Sequence, residues 1–377
     1  MSAALLGVVV VMPFFFSMTG VKVFQFGSIG GGAGGGAGEG LLMSTDGGER
    51  WDNAAVSEDD RVAPFPKGVF DLVFHPQDPD IIFLGSDDSG LWVSKNGGKS
   101  WKKIFDKRKV LDQKADVFKI AVSRSDPNVI YLAVFQNNRG RVLKSIDGGE
   151  IFREVYFVSA NRYGVFDIYV NSVNPERVII ATGQGGILES LNGGATWRVV
   201  KWFTEAVARL TVNPRSSNEI YIVTSGGNLW RSLDSGENWG DLPEGLSSAA
   251  APYPPTGVIN PFNIFSGRRA LEEFIMDPER LDTFYIGSQQ GLLRSESGGN
   301  TWERLNVLIP PDALPVDAVA IHPENSNLIF AAASNQLYKS EDNGINWSVD
   351  ILPTKSRIKT LVIHPLRPNI MFAVLGR

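Results

Sequence analysis

The chain has 377 residues, a net charge of −5, 40 glycines, 9 tryptophans, 22 phenylalanines and no cysteine. The acidic balance argues against a nucleic-acid partner, which selects a basic excess. The lack of cysteine excludes disulfides, thiolate nucleophiles and Cys-ligated metal centres, and three histidines leave little material for a His-based triad. No metal and no cofactor is expected.

The first segment, Ala3 to Phe16, is apolar apart from Gly7 and Pro13. Its length suits the ~7–15-residue core of an export signal, so residues 1–26 are expected to be a signal peptide or membrane anchor. Residues 27–40 (GSIGGGAGGGAGEG) have the composition of a flexible linker. An apolar segment, a tether and then a folded body is the layout of an exported domain: periplasmic, luminal or at the cell surface.

The body, residues 41–377, is dominated by one repeat. The pattern S-x-[D/N/S]-x-G-x-x-[W/F] occurs seven times, at spacings of 42 to 63 residues, beginning at Ser44, Ser94, Ser145, Ser190, Ser232, Ser295 and Ser340. Its third position holds Asp46, Asn96, Asp147, Asn192, Asp234, Ser297 and Asp342. Its eighth holds Trp51, Trp101, Phe152, Trp197, Trp239, Trp302 and Trp347. Short polar side chains that bond to nearby backbone, followed by an invariant glycine, specify a tight turn with a positive φ. The closing aromatic supplies apolar area to pack on a sheet. These residues are assigned structural roles, and the turn with Ser297 in place of an acid should be the weakest.

Between the repeats lie seven apolar hairpins with polar turns, from FDLVFHPQDPDIIFLGS (70–86) to TLVIHPLRPNIMFAVLG (360–376). Each supplies two strands, A and B, and each repeat supplies two more, C and D. The arithmetic predicts an all-β protein: a seven-bladed β-propeller with four-stranded blades. The body starts with a C–D unit and ends with an A–B unit, so one blade must join both ends of the chain. Residues 41–53 are expected to pair with residues 368–376, closing the ring.

The repeat resembles the Asp-box, or BNR, repeat of β-propellers. Sialidases of that kind have six blades and an early R-I-P motif, which is missing here. Xyloglucanases carry a segment similar to GVFDLVFHPQDPDIIFLGSDDSGLW (68–92), with an Asp at about the place of Asp87. That resemblance makes Asp87 the one catalytic candidate, for a glycoside hydrolase. Those enzymes use two seven-bladed domains, with the second acid on the other one, whereas this chain has the length of one. Within the chain a second carboxyl is sought among Asp59, Asp60, Asp106 and Asp312. In size and layout the chain is more similar to photosystem II assembly-factor and sortilin propellers, a resemblance that implies binding without catalysis.

The favoured expectation is therefore a non-catalytic scaffold that presents one face to a protein, peptide or glycan, with the membrane contacted through the N-terminal segment and no nucleic acid bound. Candidate contacts on the B–C loops are Asp87, Asn137, Arg139, Gln184, Asn228 and Gln289. The insertion Pro243–Arg269 adds Tyr253, Phe262, Arg268 and Arg269. A charged series at the start of strand A, Asp71, Lys119, Asp167, Arg209 and Glu273, alternates in sign and should ring the channel mouth. His75, His322 and His364 share one register before a proline, which assigns them to turns.

Overall fold

A strand buried on both faces carries apolar residues at successive positions, whereas a half-exposed strand alternates. The B strands follow the first rule: Ile82–Ser86, Val178–Thr182, Ile220–Thr224 and Phe284–Ser288 are buried along their whole length. They lie inside a propeller. The computed structural model describes residues 40–161, 163–242, 271–288, 291–309 and 315–376. These form 28 strands and no helix, grouped into seven four-stranded antiparallel sheets.

Blade 1 closes the ring. Its strand C, Leu41–Ser44, pairs with its strand B, Met371–Gly376, in the register Leu41↔Val374 to Ser44↔Met371. Blades 2 to 7 follow in chain order, each in the sequence A-B-C-D. The A strands of successive blades touch one another around the channel. Apolar side chains from facing blades interdigitate at each junction. Phe83 and Leu91 of blade 2, for example, pack with Val117, Ile130 and Leu132 of blade 3. The A–B and C–D turns share one face, here the lower; the B–C turns and the D–A linkers end on the upper face.

The seven repeated turns share one hydrogen-bond scheme on the lower face. The first Ser hydroxyl accepts the N–H of the invariant glycine at 2.7–2.9 Å in every copy. It also donates to the third residue at 2.7–2.9 Å in six copies. In the Ser297 copy that contact lengthens to 3.4 Å. The invariant glycines have φ between 85° and 95°, a region where a side chain is strained. Trp101 and Phe152 are fully buried and Trp302 nearly so.

The three histidines cap A–B turns. His364 Nδ1 accepts the N–H groups of Leu366 and Arg367, and His75 Nδ1 those of Gln77 and Asp78. His322 Nδ1 accepts from Glu324. Asn171 and Asp277 fill the same role in other blades with a carboxamide or carboxylate oxygen.

Candidate functional site

In six blades strand A carries a bulge, which inserts one extra residue and bends the strand. The charged series follows directly after it. Asp71 Oδ1 lies 3.2 Å from Lys119 Nζ, while its Oδ2 accepts the N–H of Ile120 at 2.8 Å. Asp167 Oδ2 accepts the N–H of Leu210 at 2.9 Å. The acids of blades 2 and 4 thus satisfy inner-edge amides of the next blade, groups that would otherwise stay open. Arg209 and Glu273 belong to the same electrostatic cluster. The charge of Asp71, helped by Asp167, holds the Lys119 ammonium above its ordinary range, and burial pushes the Asp167 and Glu273 carboxyls up. Lys119 still keeps 35% of its side-chain surface accessible, as befits a group surrounded by protein yet open to a channel. The bulged residues Phe70, Phe118 and Phe166 form an arc of rings with centroids 5.0 and 5.6 Å apart. The sequence alignment singled out the charges of this region and missed the arc.

Asp87 opens the B–C turn of blade 2. Its N–H donates to Gly68 O at 3.1 Å, and a Cβ on Gly68 would come within 2.7 Å of its own Cβ. The next residue, Asp88, has φ 47° and donates its N–H to Asp116 Oδ1 at 2.9 Å. Gly90 N–H reaches Ala115 O at 3.0 Å, so the turn is bound to the first residues of strand A in blade 3. Burial pushes the Asp87 carboxyl up to about 6, reinforced by the charge of Asp116, a hydrogen bond to it and the charge of Asp88.

The carboxyl that meets Asp87 is Asp116, which is not among the acids weighed from the sequence. Asp106 is buried and fully engaged by backbone amides, because it folds its own linker. Asp59 caps a turn through Arg61 N–H, Asp60 is exposed on that turn, and Asp312 lies outside the described residues. The signal was present one step before the bulge, where GVFD, DVFK and GVFD align and Asp116 takes the place of Gly68 and Gly164.

Arg139 stands on a raised hairpin. Strands B and C of blade 3, Ile130–Gln136 and Arg139–Ser145, run two residues beyond the level at which strand B ends in blades 2, 4, 5, 6 and 7. At ~3.3 Å per residue the tip rises by about 7 Å. Asn137 and Asn138 make the tight turn with φ 53° and 59°. The Arg139 guanidinium lies 5.2 Å from the Phe157 ring centroid and donates to Asn161 Oδ1 at 3.1 Å, which holds it in place with donors to spare. Gln184 sits in the B–C turn of blade 4, with part of its surface accessible. Asn228 is occupied by the fold: its amide donates to Glu205 at 3.1 Å. Gln289, Tyr253, Phe262, Arg268 and Arg269 lie outside the described residues. Among the described residues no three His, Asp or Glu side chains are grouped so as to hold a metal ion.

No protein-family model matches the chain. An oligoxyloglucan-reducing end-specific xyloglucanase of Emericella nidulans is 24% identical over 200 residues, 46% of this chain and 23% of the relative. A xyloglucanase of Paenibacillus sp is 25% identical over 292 residues, 73% of this chain and 23% of the relative. The chain spans about a quarter of the length of these curated relatives. Among solved structures, the GH74 xyloglucanase from Xanthomonas campestris superposes with a TM-score of 0.63 at 16% identity, covering 82% of this chain and 50% of that one. YCF48 bound to D1 peptide gives 0.60 at 16% identity, covering 82% and 92%. Both likenesses show the same fold, a seven-bladed propeller.

Proposed function

We propose that this protein is a non-catalytic propeller that binds an extended protein or peptide segment on its upper face, after export from the cytoplasm. The observation that carries this reading is Arg139, projected on the raised hairpin and pre-positioned by Phe157 and Asn161. A guanidinium held in this way suits a carboxylate on the partner. The likeness to a solved propeller with a bound peptide, matched over 92% of its length, supports it. The test is to screen the full-length protein against an array of acidic and neutral peptides. Arg139→Ala should lose at least about tenfold in affinity, the scale of a charge-assisted hydrogen bond. Unchanged binding by a folded Arg139→Ala protein would sink the proposal.

The second reading, a glycoside hydrolase, is favoured by Asp87, whose raised proton affinity suits a general acid. Against it stands the spacing. Hydrolases of the two-carboxylate kind need ~5–5.5 Å or ~6.5–9.5 Å between carboxyls, and Asp116 sits in hydrogen-bond contact. The second carboxylate would have to come from outside this propeller. Turnover of xyloglucan or aryl glycosides, abolished by Asp87→Asn, would replace the binding reading with this one.

A further inference from the structure

On the perimeter between blades 2 and 3 the charge balance of the protein reverses. Residues 102–114 carry Lys102, Lys103, Lys107, Arg108, Lys109 and Lys114 against Asp106 and Asp112. Asp106 does not act as a surface charge. Its buried carboxylate accepts the N–H groups of Arg108 at 3.0 Å, Val110 at 2.6 Å, Leu111 at 3.0 Å and, from blade 3, Phe152 at 3.1 Å. Those four bonds fold the linker into a fixed loop, with Lys109 at φ 58°, and leave Lys107, Arg108 and Lys109 exposed. Lys107 is paired with Glu150. Lys102, Arg108 and Lys109 make no ion pair among the described residues.

Two apolar features adjoin these cations. Phe105 is 41% exposed and forms, with Lys102 and Lys103, one wall of a cleft of about 270 Å³. The other wall runs from Ser57 to Ala63 and includes Val62, 64% exposed; its acids Glu58 and Asp59 leave anion contact to the lysine side. The same linker continues to Phe65 and Pro66, against which Gly40 packs.

A ring flanked by unpaired cations suits the headgroup zone of a bilayer, where the aromatic enters the interface and the cations meet phosphate. We propose that this perimeter, centred on Lys102, Phe105, Arg108 and Lys109, docks on an anionic lipid surface. A soluble polyanion would use the cations and leave Phe105 and Val62 without a role. This surface is independent of the Arg139 hairpin, so either proposal can fail alone.

The test is co-sedimentation of the full-length protein with vesicles of phosphatidylcholine, with and without phosphatidylglycerol. Residues 3–26 contribute to both mixtures, so the difference between them measures the cations. Each cation near an anionic surface contributes roughly fivefold. The triple variant Lys102→Gln, Arg108→Gln, Lys109→Asn should therefore lose on the order of a hundredfold of the anionic preference; Asn suits the positive φ at 109. Phe105→Ser should weaken binding to both mixtures, and the charge-conserving pair Lys102→Arg, Arg108→Lys should restore wild-type behaviour. The proposal is overturned if the wild type shows no anionic preference, or if the triple variant keeps it with an unchanged thermal transition. It is also overturned if heparin or polyglutamate binds as tightly as vesicles and Phe105→Ser leaves that binding intact.

Discussion

On the lower face seven turns meet one requirement in one way, whereas on the upper face four blades share only a hydroxyl that ends strand B, Ser86, Thr182, Thr224 and Ser288, and otherwise differ. Below, a serine, a short polar residue and a left-handed glycine repeat with the same bonds from blade to blade. Above, blade 2 closes its B–C turn with a pair of carboxyls, blade 3 extends a hairpin, and blade 5 engages Asn228 with Glu205. The lower face is under a constraint common to all blades, the termination of four strands at a buried junction. Beyond that strand-end hydroxyl the upper face shares no such scheme, and its remaining residues are free to specialise. Substitutions below should therefore cost stability, and substitutions above should alter binding or pH response.

The largest effect should come from breaking the ring that both faces share. Deleting Met371–Gly376 removes the partner of Leu41–Ser44 and leaves the first blade with open edges. The truncated protein should lose its cooperative thermal transition by circular dichroism; a sharp wild-type transition would show that closure is dispensable. Next in size is Trp101→Ala on the lower face. This ring is fully buried and its Nε1 donates to Ala54 O at 3.0 Å, so the loss should be ~3–5 kcal/mol in urea unfolding. A loss below about 1 kcal/mol would mean that the repeat aromatics are not what fastens the blades.

Smaller effects can grade the turns themselves. Ser145→Ala orphans the buried N–H of Gly149, which it now accepts at 2.9 Å, and should cost ~1–3 kcal/mol. Ser297→Asp should act in the opposite direction, by about 0.5 kcal/mol, since an acid there can shorten the one long bond of that turn, 3.4 Å to Ser295. If Ser297→Asp destabilises the protein, the acid at the third position is not the strengthening element that the other copies suggest.

The contrast between faces also explains what could be read in advance. Repetition made the lower face legible, because seven copies of S-x-D-x-G-x-x-W reveal a turn through its invariant positions. It made the ring closure legible too, because a C–D unit first and an A–B unit last leave one arrangement. Asp87 was visible through a resemblance confined to one blade. Asp116 was not, since it joins Asp87 only when two adjacent blades bring a turn and a strand start together. The structural role of Asp106 was hidden for the same reason: it depends on an amide of the next blade, 46 residues away. Periodicity exposes what each blade repeats, and contacts between neighbouring blades fall outside it.

The effect most specific to the upper face depends on pH. Asp87 titrates near 6 in the folded protein instead of its ordinary 3.8. Below both values the group is protonated whether folded or not, and contributes nothing. As the pH rises from about 4 to about 6, the unfolded chain releases a proton that the folded protein retains, so stability falls; above that range the full cost persists. A shift of about two pKa units corresponds to ~3 kcal/mol, which solvent screening at this partly exposed site reduces to about 1 kcal/mol. Asp87→Asn supplies a donor to Asp116 without a titrating proton. It should be about 1 kcal/mol more stable than wild type above neutral pH and no different near pH 4, measured by urea midpoints at the two extremes. An equal difference at both pH values would mean that the fold does not hold the Asp87 carboxyl up. Binding through Arg139 should survive this change, because the guanidinium is positioned by Phe157 and Asn161 and neither touches the pair. A protein that became more stable and lost its activity together would instead mark Asp87 as a residue kept strained for function.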